Sequence, residues 1–207
     1  MPLRTRHLRA ALGAAAALAT IGLTTACGTG ATPPPAASPS TDVTPTASAP
    51  ASSPSASPSP DLKDTQVATT WQEAVKAAQA KFSGRPTGVS LDWERNELVY
   101  TVDLVSDTEE YEATVNAASG EVVHSDTDRL DADDVQDAKE DVFDPAKVVD
   151  LSKAMDAALA QAKGRVTEWS LEGSRRGVFF QFDIADGTKD VEAIVDATTG
   201  EFVRIDT

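Results

Sequence analysis

The side chains able to do chemistry in this chain are few. Its 207 residues hold two histidines, His7 and His124, one cysteine, Cys27, and 33 acids against 18 Lys and Arg, for a formal net charge of −15 at pH 7. A nucleophile–base pair needs a histidine or another poised base beside a Ser or Cys. His124 is the candidate, but Arg204 stands at its counterpart in an internal repeat described below, so His124 reads as a solvated residue near a strand end. The chain has no His-Glu-x-x-His zinc pair, no phosphate-cradling Walker loop and no glycine-rich dinucleotide turn. Asp126, Asp128, Asp131, Asp133 and Asp134 begin like a calcium loop, yet its sixth and twelfth positions hold Asp131 and Asp137 where Gly and Glu are needed. Paired carboxylates for glycoside hydrolysis need an apolar cleft to separate their pKa values, and no such cleft is written in the sequence. No catalytic, cofactor-binding or metal-ligating residue is assigned. So acidic a chain repels a phosphate backbone, which excludes nucleic acid as a partner.

One polar cluster remains. Asp196-Ala197-Thr198-Thr199-Gly200-Glu201 near the C-terminus matches Asn116-Ala117-Ala118-Ser119-Gly120-Glu121, 80 residues earlier. Sliding 71–127 onto 151–207 needs no gap and gives 21 identities in 57 pairs, so the chain carries a duplication. A catalytic loop is seldom duplicated in register, whereas a turn would be. Asn116 or Asp196 can accept backbone hydrogen bonds as an Asx-turn, Thr199 sits within the turn, and Gly120 or Gly200 supplies a positive φ.

The elements that position these turns follow from periodicity. Thr70-Trp71-Gln72-Glu73 is a capping box, and Trp71, Ala74, Val75, Ala78 and Phe82 follow at helical spacing. Alternating runs at 87–93 and 98–105 then read as strands, followed by 111–115, the turn, and 121–124. The second copy restates this from an N-cap at Asp150. Tight connections favour antiparallel strands. The expected fold is α+β: two tandem repeats, 65–127 and 147–207, each one helix packed on a small antiparallel sheet of three to four strands. The acidic stretch 128–146 reads as a solvated linker with a short helix near 132–140, either floating free or laid against one of the sheets. Trp71 and Trp169 fall on apolar positions, while Trp93 aligns with Gly173 and is the candidate for an exposed, copy-specific contact.

The N-terminus gives an address. Arg4, Arg6 and Arg9 precede an uncharged apolar run, Ala10–Leu23, shorter than the roughly 20 residues a membrane span requires. Residues 1–26 read as a signal peptide, and Ala26-Cys27 resembles a bacterial lipobox in which Cys27 takes a diacylglycerol. Thr24 departs from that pattern, where leucine is usual. Cleavage there shifts the formal charge to −18. Residues 27–64 hold nine of the twelve prolines, with Ser, Thr and Ala filling most of the rest, and cannot bury enough surface to fold. They read as a disordered tether with a coil reach of roughly 35 Å.

The alanine-faced helix, the strand Leu98-Val99-Tyr100-Thr101-Val102 and the closing Asp196-Ala197-x-Thr199-Gly200-Glu201 together resemble the PepSY family. The likeness covers both repeats and is closer in the second, since Asn116 and Ser119 replace Asp and Thr in the first. It implies a non-enzymatic binding module acting outside the cytoplasm, with an extracellular peptidase as a partner to inhibit or regulate. No catalytic residue is carried over. No peptidase domain accompanies the repeats in these 207 residues, so the expected action is in trans. Two functional readings stand. One is a lipid-anchored module on the outer face of the cell membrane, holding a protein or peptide partner. The other is a structural or sensory envelope lipoprotein whose acidic surface binds cations or cationic wall components.

Overall fold

The computed structural model describes residues 60–187 and 189–206. Cys27, the signal segment and nearly all of the tether lie outside the described residues. In chain order the elements are α1 (Trp71–Gln79), β1 (Arg85–Glu94), β2 (Glu97–Val105), β3 (Glu109–Asn116), β4 (Val122–Arg129), α2 (Ala132–Glu140), a 3-10 turn at Pro145–Lys147, α3 (Leu151–Leu159), β5 (Arg165–Ser174), β6 (Gly177–Asp186), β7 (Lys189–Asp196) and β8 (Phe202–Asp206).

The capping box closes in both directions. Glu73 N donates to Thr70 Oγ1 at 3.3 Å, and Thr70 N donates to Glu73 Oε2 at 2.8 Å. From there α1 buries Trp71, Ala74, Val75 and Ala78. Helix α3 buries the matching Ala154, Met155 and Ala158. Its N-cap, Asp150, makes no side-chain bond to the helix backbone and instead accepts from Ser152 Oγ at 3.4 Å.

The two small sheets expected from the repeats are one. All eight strands form a continuous antiparallel sheet in the order β4-β3-β2-β1-β5-β6-β7-β8. The halves join where β1 pairs with β5, through Gly88–Glu172, Val89–Leu171, Ser90–Ser170 and Leu91–Trp169. Pairing an edge with its own copy removes two unpaired strands at once. Alternation then puts Val89, Leu91, Tyr100, Val102, Trp169, Leu171, Phe180 and Phe182 on one face, where a single core takes in the buried residues of both helices. Tyr100, Trp169 and Phe180 form an edge-on aromatic row across the junction, with ring centroids 6.2 and 6.1 Å apart. Such contacts add about 0.5–1.5 kcal/mol each beyond the area they bury.

Two arms lock the halves together. Leu62 N donates to Val166 O (2.9 Å) in the second half, while Phe143 N donates to Pro86 O (3.0 Å) in the first. Each arm then returns to its own half, Thr69 N to Ala117 O at 3.0 Å and Val149 N to Ala197 O at 2.8 Å. Leu62 and Phe143 are both buried in the shared core. Of the two arrangements open to the acidic linker, the structure has it docked in part. Ala138 and Phe143 are buried, Lys139 pairs with Asp107 at 2.9 Å, and Arg175 pairs with Asp137 and Glu140.

Candidate functional site

The duplicated turns have the same internal wiring. Asp196 Oδ1 accepts from Thr198 N, Thr198 Oγ1 and Thr199 N at 2.8, 2.7 and 2.9 Å. Those bonds hold its carboxyl below the usual range against the opposing effect of partial burial. Asn116 Oδ1 accepts from Ala118 N and Ser119 N, both at 3.0 Å. Glu121 N and Glu201 N donate to the hydroxyls of Ser119 and Thr199. Gly120 and Gly200 sit at φ of 73° and 77°, each donating its N–H to the carbonyl of Asn116 or Asp196 at 2.8 Å. The second turn is also met by Lys153 Nζ, which donates to Thr199 O at 3.0 Å. These bonds shape each β-turn, and the carbonyls of Ala117 and Ala197 within the turns receive the arms.

Chemistry-bearing side chains collect elsewhere, on the sheet face opposite the helices. Ladder alternation puts Glu112, Asp103, Asp92, Glu168, Glu172, Asp183 and Glu192 on that face, across six adjacent strands. Glu168 is the most perturbed. Burial comes first and the charges of Asp92, Asp183, Glu172 and Glu192 add to it, pushing its carboxyl up to about 7. Asp92 is raised by burial and by Glu94, and Glu192 by burial and by Asp183. Gln181 Nε2 donates to Glu172 Oε2 at 3.0 Å, and Arg204 pairs with Asp206 at 2.9 Å. This face is an acidic field spread over six strands, with Glu168 near its centre. Among the described residues, no group of three or more His, Cys, Asp or Glu is placed to hold a metal ion.

The sheet ends in two unpaired edges, β4 and β8. Seven of the eight β4 residues are exposed, and both edge strands carry a bulge at the equivalent residue, Val123 opposite Thr114–Val115 and Val203 opposite Ile194–Val195. Val123 (60% exposed), Val203 (45%) and Ile205 (38%) are the exposed large hydrophobics among the described residues, and all three lie on these edges. His124 lies on β4 with 70% of its side chain exposed, 4.0 Å from Asp126. Trp93, expected to be an exposed contact, is instead half-buried and packs against the core. Gly173 at the matching place lies directly under the Asp141 carbonyl, so the copies differ there because the second half admits an arm backbone where the first has an indole. Among the described residues, no helix is long and apolar enough to cross a membrane.

Two helices on one face of a duplicated antiparallel sheet, closed by twin Asx turns, define a small α+β scaffold. The chain matches PepSY, the peptidase propeptide and YPEB domain, over residues 72–125 and 148–206. Those segments span more than half of the sequence, and the chain belongs to the PepSY family. Comparison with curated proteins returned no match. The fold is similar to the crystal structure of a protein from Clostridium difficile 630 described as a "putative lipoprotein". The TM-score is 0.67 and the identity 25%, over 72% of this chain and 99% of that one.

Proposed function

We propose that this protein is a non-enzymatic binding module, lipid-anchored through Cys27 on the extracytoplasmic face of the cell membrane, that holds a protein or peptide partner at a sheet edge. Regulation of an extracellular peptidase is the sharpest form of this reading. The observation that carries it is the unpaired β4 edge, where seven of eight residues are exposed and Val123 is 60% exposed. An edge offers backbone hydrogen bonds to an extended partner without any catalytic group. The family match and the likeness to a described lipoprotein support the setting, as does the Ala26-Cys27 pair.

The test is a pull-down from envelope extracts with the full chain, run beside assays of extracellular peptidases. Retention of a peptidase, with its activity lowered by the chain, is the expected outcome. If no peptidase is retained or affected, the inhibitor form fails. Labelling with a tagged fatty acid tests the anchor, and label that survives Cys27→Ser would refute it. The acidic face favours a second reading, attachment to cations or cationic wall components. Salt separates the two, because surface charge pairing is screened within about 8–10 Å at physiological ionic strength while backbone pairing persists.

A further inference from the structure

The two edges are not equivalent. Leu130 N donates to Thr108 O at 2.9 Å, and the β3–β4 register runs 109–129, 110–128, 111–127 and onward. In an antiparallel ladder the mutually bonded pairs recur every second residue. From 108–130 they are therefore 110–128, 112–126 and 114–124. Ser125, Thr127 and Arg129 lie between these pairs and aim their N–H and C=O groups away from the sheet. They form a run of three outward positions, and all three residues are exposed. The side chains of the inward-bonded residues, His124, Asp126 and Asp128, line up on the acidic face, with Glu110 and Glu112 one strand behind. On strand β8 the acid on this face, Asp206, accepts from Arg204 Nε at 2.9 and 3.0 Å. The β4 edge therefore carries the acids, and the β8 edge has its own cation in place.

Resting on the edge-binding reading above, we infer that β4 is the edge that takes the partner, and that the partner is an extended segment with Lys or Arg at every second position. A strand laid along β4 takes its backbone bonds from Ser125, Thr127 and Arg129. Its alternate side chains fall on the same face as Asp126 and Asp128, one strand spacing away. Exposed Val123 at the bulge offers an apolar contact at one end of that strand. Acids at these positions on the partner would meet like charge, so the row also sets specificity.

The inference is tested with the full chain and a fluorescent eight-residue peptide alternating lysine and threonine, by anisotropy at about 20 mM salt, where surface charge is weakly screened. The expected result is saturable binding, lost when glutamate replaces lysine. Thr127→Pro removes only an outward N–H, a change that edge strands tolerate, and should weaken binding roughly ten-fold or more while the melting temperature holds. Asp126→Asn with Asp128→Asn should weaken it by about the same factor, and Ile205→Pro on β8 should leave it unchanged. Equal binding of a peptide N-methylated along one backbone edge would overturn strand addition, whatever the variants do. Equal losses from Thr127→Pro and Ile205→Pro would overturn the choice of edge. Failure of the lysine peptide to bind would overturn the basic-strand inference alone, since a partner retained in the envelope pull-down need not be basic.

Discussion

Ser90 and Ser170 face each other across the β1–β5 ladder and occupy the same position of the two repeats. The flanking rungs are reciprocal as well: Val89 meets Leu171, Leu91 meets Trp169, and the 80-residue offset carries one rung onto the other. The junction is thus a local two-fold axis running through the sheet. Each half alone would end in an extra unpaired strand, and each arm has an anchor on the other half. The two repeats are consequently one folding unit sharing one core.

Trp169 tests that view because it stands at the axis, 1% exposed, between Tyr100 and Phe180. Trp169→Ala should destabilise the protein by about 3–5 kcal/mol through the cavity it leaves. Urea unfolding followed by circular dichroism and by the fluorescence of Trp71 and Trp93 should show one transition, moved to lower urea for both probes. A variant in which the first repeat unfolds at its original midpoint would show that the halves are independent.

Local signals carried much of this architecture, and what they missed was reciprocal. The capping box at Thr70, the alternation of Leu98, Tyr100, Val102 and Leu104, and the Asx-turn chemistry of Asn116 and Asp196 can all be read from neighbours in sequence. The Val89–Leu171 and Leu91–Trp169 rungs cannot, because a strand's pattern names its buried face but not its lateral partner. Phe143 was hidden for a related reason: one aromatic inside a strongly acidic stretch looks like an exception until the other half supplies its pocket. Alignment with a glycine suggests exposure for Trp93, but Gly173 instead marks the close approach of the Asp141 backbone. The acidic face was the hardest to foresee, since its members come from six strands and adjoin only after the halves pair.

That face makes stability depend on pH in an unusual direction. Glu168 is raised to about 7 from an unfolded value near 4.5, so between those values the folded state holds more protons than the unfolded state. Stability is therefore greater below the lower value and falls as pH rises through about 7. Discounted for solvent screening, the effect is on the order of 1–2 kcal/mol. Melting should occur at higher temperature at pH 5.5 than at 7.5. Glu168→Gln should raise the melting point at pH 7.5 and flatten the profile. A melting temperature that climbs steadily from pH 5.5 to 7.5 would contradict this assignment.

The twin turns separate backbone need from side-chain chemistry. Gly200 lies at φ 77° with the Lys153 side chain close to where a Cβ would project, so Gly200→Val should cost about 1–2 kcal/mol or more from the left-handed backbone alone. Glu201 is exposed, and its part in the turn is played by its backbone N–H and C=O, so Glu201→Gln should fold and bind as the parent does. Thermal melts and partner capture on the same samples check both. A loss of capture by Glu201→Gln in a fully folded protein would return the turn to the list of functional sites.

Gly173 gives the most local test of the arm exchange. A Cβ there would overlap the carbonyl oxygen of Asp141, which is backbone and cannot swing aside as a flexible side chain would. Gly173→Ala must therefore lift the second arm. Two attachments are at stake: Arg175 to Asp137 and Glu140, and Phe143 through its bond to Pro86 O and its place in the core. Overpacking of this kind costs about 1–3 kcal/mol. Hydrogen exchange should show where the loss falls, with the amides of α2 and Phe143 losing protection first while those of β6 and β7 hold. Uniform loss across all eight strands would mean that Gly173 supports the sheet itself. Unchanged protection in α2 would mean that the arm is not held where Asp141 meets Gly173.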